Sequence, residues 1–138
     1  MILRWQWVYA GCVKPVVQVT ALDHIVLKCA DVEATLAWYV DVLGLQPVRV
    51  DEWRAGTAPF PSARVSADTI IDLVPGSTED GRLEHFCLIV EATDLAALAQ
   101  NARLHVLQGP VPRYGARGTG TSLYVRDPDG TVVELRHY

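Results

Sequence analysis

Residues 22–27 read LDHIVL and residues 83–88 read LEHFCL. In both, a leucine, an acid and a histidine open an apolar run, and His85 stands 61 positions after His24. Residues 69–73, TIIDL, and residues 131–135, TVVEL, repeat at an offset of 62. Asp72 follows His24 by 48 positions and Glu134 follows His85 by 49, so each pair brackets a segment of nearly equal length. Two matches in the same order at almost one offset mark a duplicated unit.

The interior of each half fits a common plan. Asp31 is placed to cap a helix over residues 32–43, where Val32, Leu36, Tyr39, Val40 and Leu43 recur at helical spacing before Gly44. Strands are expected at 47–53, 63–67 and 69–74. In the second half, Thr93 or Asp94 caps a helix carrying Leu95, Leu98, Ala99 and Ala102. Strands near 105–108, 120–126 and 131–136 follow, the last two joined by Asp127-Pro128-Asp129-Gly130, whose Pro and Gly suit successive turn positions. The reading is an α+β fold of two βαβββ modules, about 20–76 and 82–138, preceded by an N-terminal arm at 1–19.

Alternation along the strands decides where the paired residues point. Leu22, His24 and Val26 share one side of the first strand, and Asp23, Ile25 and Leu27 share the other. If Ile25 and Leu27 pack on the helix, His24 faces the concave side, and the same argument turns His85 inward. Asp72 and Glu134 are polar positions flanked by apolar ones in the closing strands. A lone His or Asp in a strand is ordinarily a half-buried polar residue. Four such groups without partners would each cost about 1–3 kcal/mol, and the repeat places two of them in each half. A shared cation turns it into binding energy. Two imidazoles and two carboxylates suit Zn, Ni, Co, Mn or Fe(II) better than a structural thiolate site. Asp72 ends one methylene short of Glu134, which leaves its reach open.

The rest of the chain excludes more than it suggests. Its 138 residues are 50% hydrophobic and 20% charged, which fits a packed domain and not a disordered tail. A formal charge of -4 without basic blocks argues against a nucleic-acid or anionic-membrane surface. Cys12, Cys29 and Cys87 have no CxxC spacing and point to a reducing, cytoplasmic setting. No stretch of about 20 apolar residues exists to span a membrane. At the N-terminus Trp5, Trp7 and Tyr9 alternate as on a strand face, so an extra strand or arm is expected there and not a signal.

The runs DHIVL at 23–27, WYVDVLGL at 38–45, HFCLIV at 85–90, GPVPR at 109–113 and SLYVRDPDGTVVEL at 122–135 resemble the vicinal oxygen chelate superfamily. That superfamily contains glyoxalase I, bleomycin and fosfomycin resistance proteins, and extradiol dioxygenases. The likeness covers about residues 20–138 and is most similar to the glyoxalase domain-containing protein 5 group. It implies a curved mixed sheet whose two modules close a cup around a divalent metal, with ligands at the positions of His24, Asp72, His85 and Glu134. Asp72 departs from the Glu of glyoxalase I. Three ligands would resemble the Fe(II) facial triad and four a glyoxalase or an epimerase.

The function this implies is a metal-dependent lyase or isomerase acting on a small substrate with adjacent oxygens. The metal would stabilise an enediolate while Glu134 shuttles the proton. An Fe(II) extradiol-type dioxygenase and a non-catalytic small-molecule binding or antibiotic resistance protein are the alternatives. Arg113, Tyr114 and Arg117 lie in a glycine-rich loop expected to act as a mobile lid with a cationic handle for the substrate. Trp53 and Phe60 are candidates for the pocket wall. His105 and His137 fall outside the repeat and read as surface residues, and Arg126 as part of the last turn. A homodimer is expected, with the apolar arm as its contact.

Overall fold

The computed structural model describes residues 14–138. Most of the expected arm, with Trp5, Trp7, Tyr9 and Cys12, lies outside the described residues. Eight strands form one mixed sheet in the order β2-β3-β4-β1-β5-β8-β7-β6. The first module comprises β1 (Val19–Cys29), α1 (Val32–Ala37), β2 (Gln46–Val48), α2 (Val50–Arg54), β3 (Ser62–Arg64) and β4 (Ile70–Pro75). The second comprises β5 (Leu83–Val90), α3 (Leu95–Leu98), β6 (His105–Gly115), β7 (Gly118–Arg126) and β8 (Val132–His137). In each module the first strand pairs in parallel with the last, β1 with β4 and β5 with β8. The modules meet where β1 and β5 run antiparallel. The sheet thus has a pseudo-twofold at its centre, as the duplicated sequence requires.

Local chemistry explains most of the elements. Asp31 caps α1 by accepting from the Ala34 amide at 3.0 Å, and Asp94 caps α3 from Ala97 at the same distance. After α1 the backbone widens into a π-helical turn, Trp38–Val42, and Gly44 closes it at φ +74°. In the last turn Asp127 Oδ1 accepts from the Asp129 and Thr131 amides, Gly130 takes φ +94°, and Arg126 Nη1 donates to the Gly130 carbonyl.

The apolar positions split as alternation demands. Cys29, Val32, Leu36 and Leu73 form a buried cluster in the first module, joined by Leu27 and Ile71. Val90, Leu95, Leu98, Leu123, Val125 and Leu135 form its counterpart in the second. Cys29 and Cys87 are free and buried, small hydrophobes in effect.

Three expectations need correction. The strand expected at 47–53 ends at Val48, and residues 50–54 form α2, with Asp51 and Glu52 in its first turn and Arg54 in its last. Those charges complement the helix dipole, and Trp53 packs into the first-module cluster. The expected glycine-rich lid is a β-hairpin: β6 runs on to Gly115 and pairs with β7 across Ala116 and Arg117. Gly115 is needed there because a Cβ would lie 2.7 Å from Asp23 Oδ2 and collide with the Arg136 guanidinium. The helix of the second module is a single turn that ends before Ala102.

Candidate metal centre

The inward faces of β1, β4, β5 and β8 bring His24, Asp72, His85 and Glu134 into one cavity of about 570 Å³. Phe60, Arg113 and Tyr114 line it with Arg49, Tyr124 and Val26. Its size suits a small organic ligand. Two expected substrate-binding residues, Trp53 of the wall and Arg117 of the cationic handle, stand elsewhere. Trp53 belongs to the apolar cluster, and Arg117 makes an ion pair with Asp68 at 2.9 Å away from the lining. Of the other two histidines, His105 is exposed as expected, whereas His137 is half-buried.

Three donors converge. Glu134 Oε2 lies 3.2 Å from His24 Nε2 and 3.2 Å from His85 Nε2. The rings stand at 78° with centroids 5.6 Å apart, so both edges aim at the same carboxylate oxygen. Asp72 Oδ2 sits 3.8 Å from His24 Nε2 and falls outside the tight cluster of His24, His85 and Glu134.

The far side of each donor is tied down, and twice in the same way. His24 Nδ1 bonds Asp23 Oδ2 at 2.6 Å, and His85 Nδ1 bonds Glu84 Oε2. With Nδ1 carrying the proton, Nε2 offers its lone pair. Ser62 Oγ donates to Asp72 Oδ1 at 2.5 Å, and Ser122 Oγ donates to Glu134 Oε1 at 2.6 Å. Arg136 Nη2 adds a second bond to Glu134 Oε1 at 2.9 Å.

Simple alternation would send Asp23 and Glu84 to the opposite face from the histidines that follow them. The β1–β5 register explains why they do not. Leu22 pairs with Leu88 and His24 with Cys87, which leaves Asp23 unpaired in a bulge; Val26 pairs with His85 and Leu27 with Leu83, which leaves Glu84 unpaired in another. A bulge re-aims the side chain of the extra residue. The acid preceding each histidine was visible in the repeat, but strict alternation hid its use. Ser62 and Ser122, 60 positions apart, were a further repeated pair. Arg49 and Arg136 carried no repeat signal.

Burial opposes charge throughout the site, and hydrogen bonding overrides it at the donors. His24 resists protonation by burial, yet Asp23, Glu134 and Asp72 push its pKa up to about 9. His85 is raised for the same reason, through Glu134 and Glu84. Burial would raise Glu134, but His24 and His85 hold it well below the usual carboxylate range. Asp72 is raised, because burial outweighs the nearby charge of His24 and the Ser62 bond.

Two imidazole nitrogens and one carboxylate oxygen, all facing one point with their remaining atoms fixed by partners, fit a divalent cation of the Zn-to-Fe(II) class. A second grouping, Asp23, His24 and Cys87, does not. Its His24 nitrogen already bonds Asp23, and burial pushes the Cys87 thiol up so that it stays protonated.

A two-module βαβββ cup with paired histidines on its central strands and a carboxylate on its closing strand defines a vicinal-oxygen-chelate type of protein. The chain belongs to the Glyoxalase/Bleomycin resistance protein/Dioxygenase superfamily, which it matches over residues 21–135. It is 30% identical over 130 residues to a glyoxalase domain-containing protein of Mycosarcoma maydis, covering 87% of this chain and 69% of that one. It is 28% identical over 127 residues to a virulence protein of Salmonella typhimurium, covering 85% and 83%. Among solved structures, methylmalonyl-CoA epimerase from Mycobacterium tuberculosis shares the fold at a TM-score of 0.57 and 20% identity, covering 90% and 91%. Among the described residues no helix is long and apolar enough to cross a membrane.

Proposed function

We propose that the chain is a divalent-metal-dependent lyase or isomerase that acts on a small substrate carrying adjacent oxygens. The observation that carries this reading is the convergence of His24 Nε2, His85 Nε2 and Glu134 Oε2 with every opposite atom held by a partner. When bound, the cation supplies Lewis acidity toward neighbouring substrate oxygens. The chain's own residues do the rest. Phe60, Tyr114 and Tyr124 exclude water from the cavity, and Arg113 orients the substrate.

The proton-moving role divides between the two carboxylates. Glu134 has Oε1 fixed by Ser122 and Arg136, so it is a rigid donor, and leaving the cluster to act as base would break both bonds. Asp72 lies beside the cluster with Oδ2 free of hydrogen bonds among the described residues and its basicity raised by burial. Proton transfer at Asp72 Oδ2 therefore suits the geometry better than the transfer at Glu134 expected from the resemblance.

A second reading, an Fe(II) dioxygenase of the extradiol type, is favoured by one observation: the tight cluster is two histidines and one carboxylate without Asp72. The likeness of GPVPR and SLYVRDPDG to the glyoxalase domain-containing protein 5 group supports the isomerase or lyase side. A cytoplasmic setting accords with the free, buried Cys29 and Cys87, and a homodimer with the exposed Trp38, Val42 and Leu43.

Metal analysis of protein purified without chelator is the test, followed by screening with methylglyoxal-thiol adducts, catechols and fosfomycin. One divalent metal per chain with turnover of a thiol adduct supports the lead reading. Iron with oxygen uptake on a catechol supports the second. A chain that binds ligand without metal is a binding protein, and both enzyme readings fail.

A further inference from the structure

We propose that Arg49 and Arg113 form an oxyanion-binding subsite in the cavity wall, taking the carboxylate or phosphoryl group of a substrate whose adjacent oxygens lie at His24, His85 and Glu134. The second half of that statement rests on the metal reading above; the subsite itself does not.

Arg49 is held in an unusual way. It precedes α2 with φ 57° and ψ 28°, and among the described residues it alone combines a side chain with positive φ. A left-handed backbone disfavours a residue with a Cβ, so the surroundings must fix Arg49 there. Its guanidinium carbon lies 3.7 Å from the Tyr114 ring centre and 4.9 Å from that of Phe60. Aromatic faces engage the flat sides of a guanidinium and leave its N–H edge for in-plane acceptors.

That edge is nearly unused. Among the described residues its one hydrogen bond is a long one, Nη2 to the Phe60 carbonyl at 3.5 Å, and Nε is buried with no partner. Among the described residues no carboxylate stands within ion-pair distance of Arg49 or Arg113. Arg54, Arg117 and Arg136 each have one, in Glu33, Asp68 and Glu134. Arg113 enters from β6 and lines the same cavity; its bond is Nη1 to the Pro112 carbonyl. Two guanidinium groups without a direct carboxylate partner share one cavity with Asp72, Glu84 and Glu134, and their N–H edges leave in-plane donors for a planar or tetrahedral oxyanion. Neutral diols offer them nothing comparable.

Calorimetric titration of the full-length chain, metal-free and Mn(II)-loaded, with glycerol, glycerate and glycerol 3-phosphate tests the subsite. One of the two acids should bind at least about tenfold tighter than glycerol, and which one does identifies carboxylate or phosphoryl as the group taken. Arg49→Gln and Arg113→Gln should each remove that preference in the metal-free protein while leaving Mn(II) affinity unchanged. Arg54→Gln, whose partner Glu33 lies outside the cavity, should keep the preference. Glycerol binding as tightly as both acids, or a preference that survives both cavity variants, overturns the subsite. If Mn(II) fails to bind while the acid preference holds, the subsite stands and the metal reading falls.

Discussion

Arg136 Nη2 bonds Glu134 Oε1 at 2.9 Å, two residues along the same strand and both fully buried. Residues two apart on a strand share a face, so β8 carries the candidate ligand and its anchor together. Arg136 also donates to Ser122 Oγ, the Tyr114 carbonyl and Tyr138 Oη, which leaves it no freedom to turn away. Arg136→Met should destabilise the chain by about 3–5 kcal/mol, because it strands a buried carboxylate. Arg136→Lys should fold but bind metal about 10–100-fold more weakly, since one ammonium cannot replace the fork. Chemical denaturation and metal titration read the two effects separately, and unchanged affinity in the Lys variant would remove Arg136 from the centre.

The histidine orientation rests on Asp23 and Glu84. Asp23→Asn and Glu84→Gln should each lower metal affinity about 10–100-fold with smaller effects on melting. Asp23 also accepts from the Ala116 amide at 3.0 Å and from Tyr138 Oη, so its variant should lose more stability than that of the exposed Glu84. Equal affinities in both variants and wild type would mean that the bulges are structural only.

The main lines of this arrangement are legible in the sequence, and the reasons are physical. Alternation on β4 and β8 is enforced by the apolar clusters around Leu73 and Leu135, so Asp72 and Glu134 had one way to face. The bulges at Asp23 and Glu84 were not legible, because the register of β1 against β5 is set between strands far apart in sequence. The α2 helix was hidden by Val48, Val50 and Trp53, which read as strand residues and in fact end a strand and face a core. The β6–β7 hairpin was hidden by its glycines. Gly115 marks space for Arg136 and Asp23, not mobility.

That packing makes Gly115→Ala a sharp test. The added methyl meets the Arg136 guanidinium and Asp23 Oδ2. Overpacking of this kind should cost about 1–3 kcal/mol, and displacement of Arg136 should weaken metal binding as well. A variant with unchanged melting temperature and affinity would show that the network yields easily.

Protonation should act in opposite directions on folding and on metal binding. In the metal-free chain His24 titrates near 9, above its ordinary 6.5. A raised pKa stabilises the folded state fully below pH 6.5, and that contribution is lost as the pH rises through about 9. A cation needs the unprotonated ring, so metal affinity should climb by about tenfold per pH unit for each proton released and level off above that range. Thermal melts of the metal-free chain and chelator-buffered titrations from pH 6 to 10 check both slopes. A flat affinity profile would mean that His24 is no ligand.

The most direct measurement is a crystal structure of the metal-loaded, full-length chain with the ion located by its anomalous scattering. A three-ligand centre gives one peak per chain bonded to His24 Nε2, His85 Nε2 and Glu134 Oε2, with Nδ1 of each histidine still on Asp23 and Glu84. A cavity without a peak, or an ion seated instead among Asp23, His24 and Cys87, would contradict it.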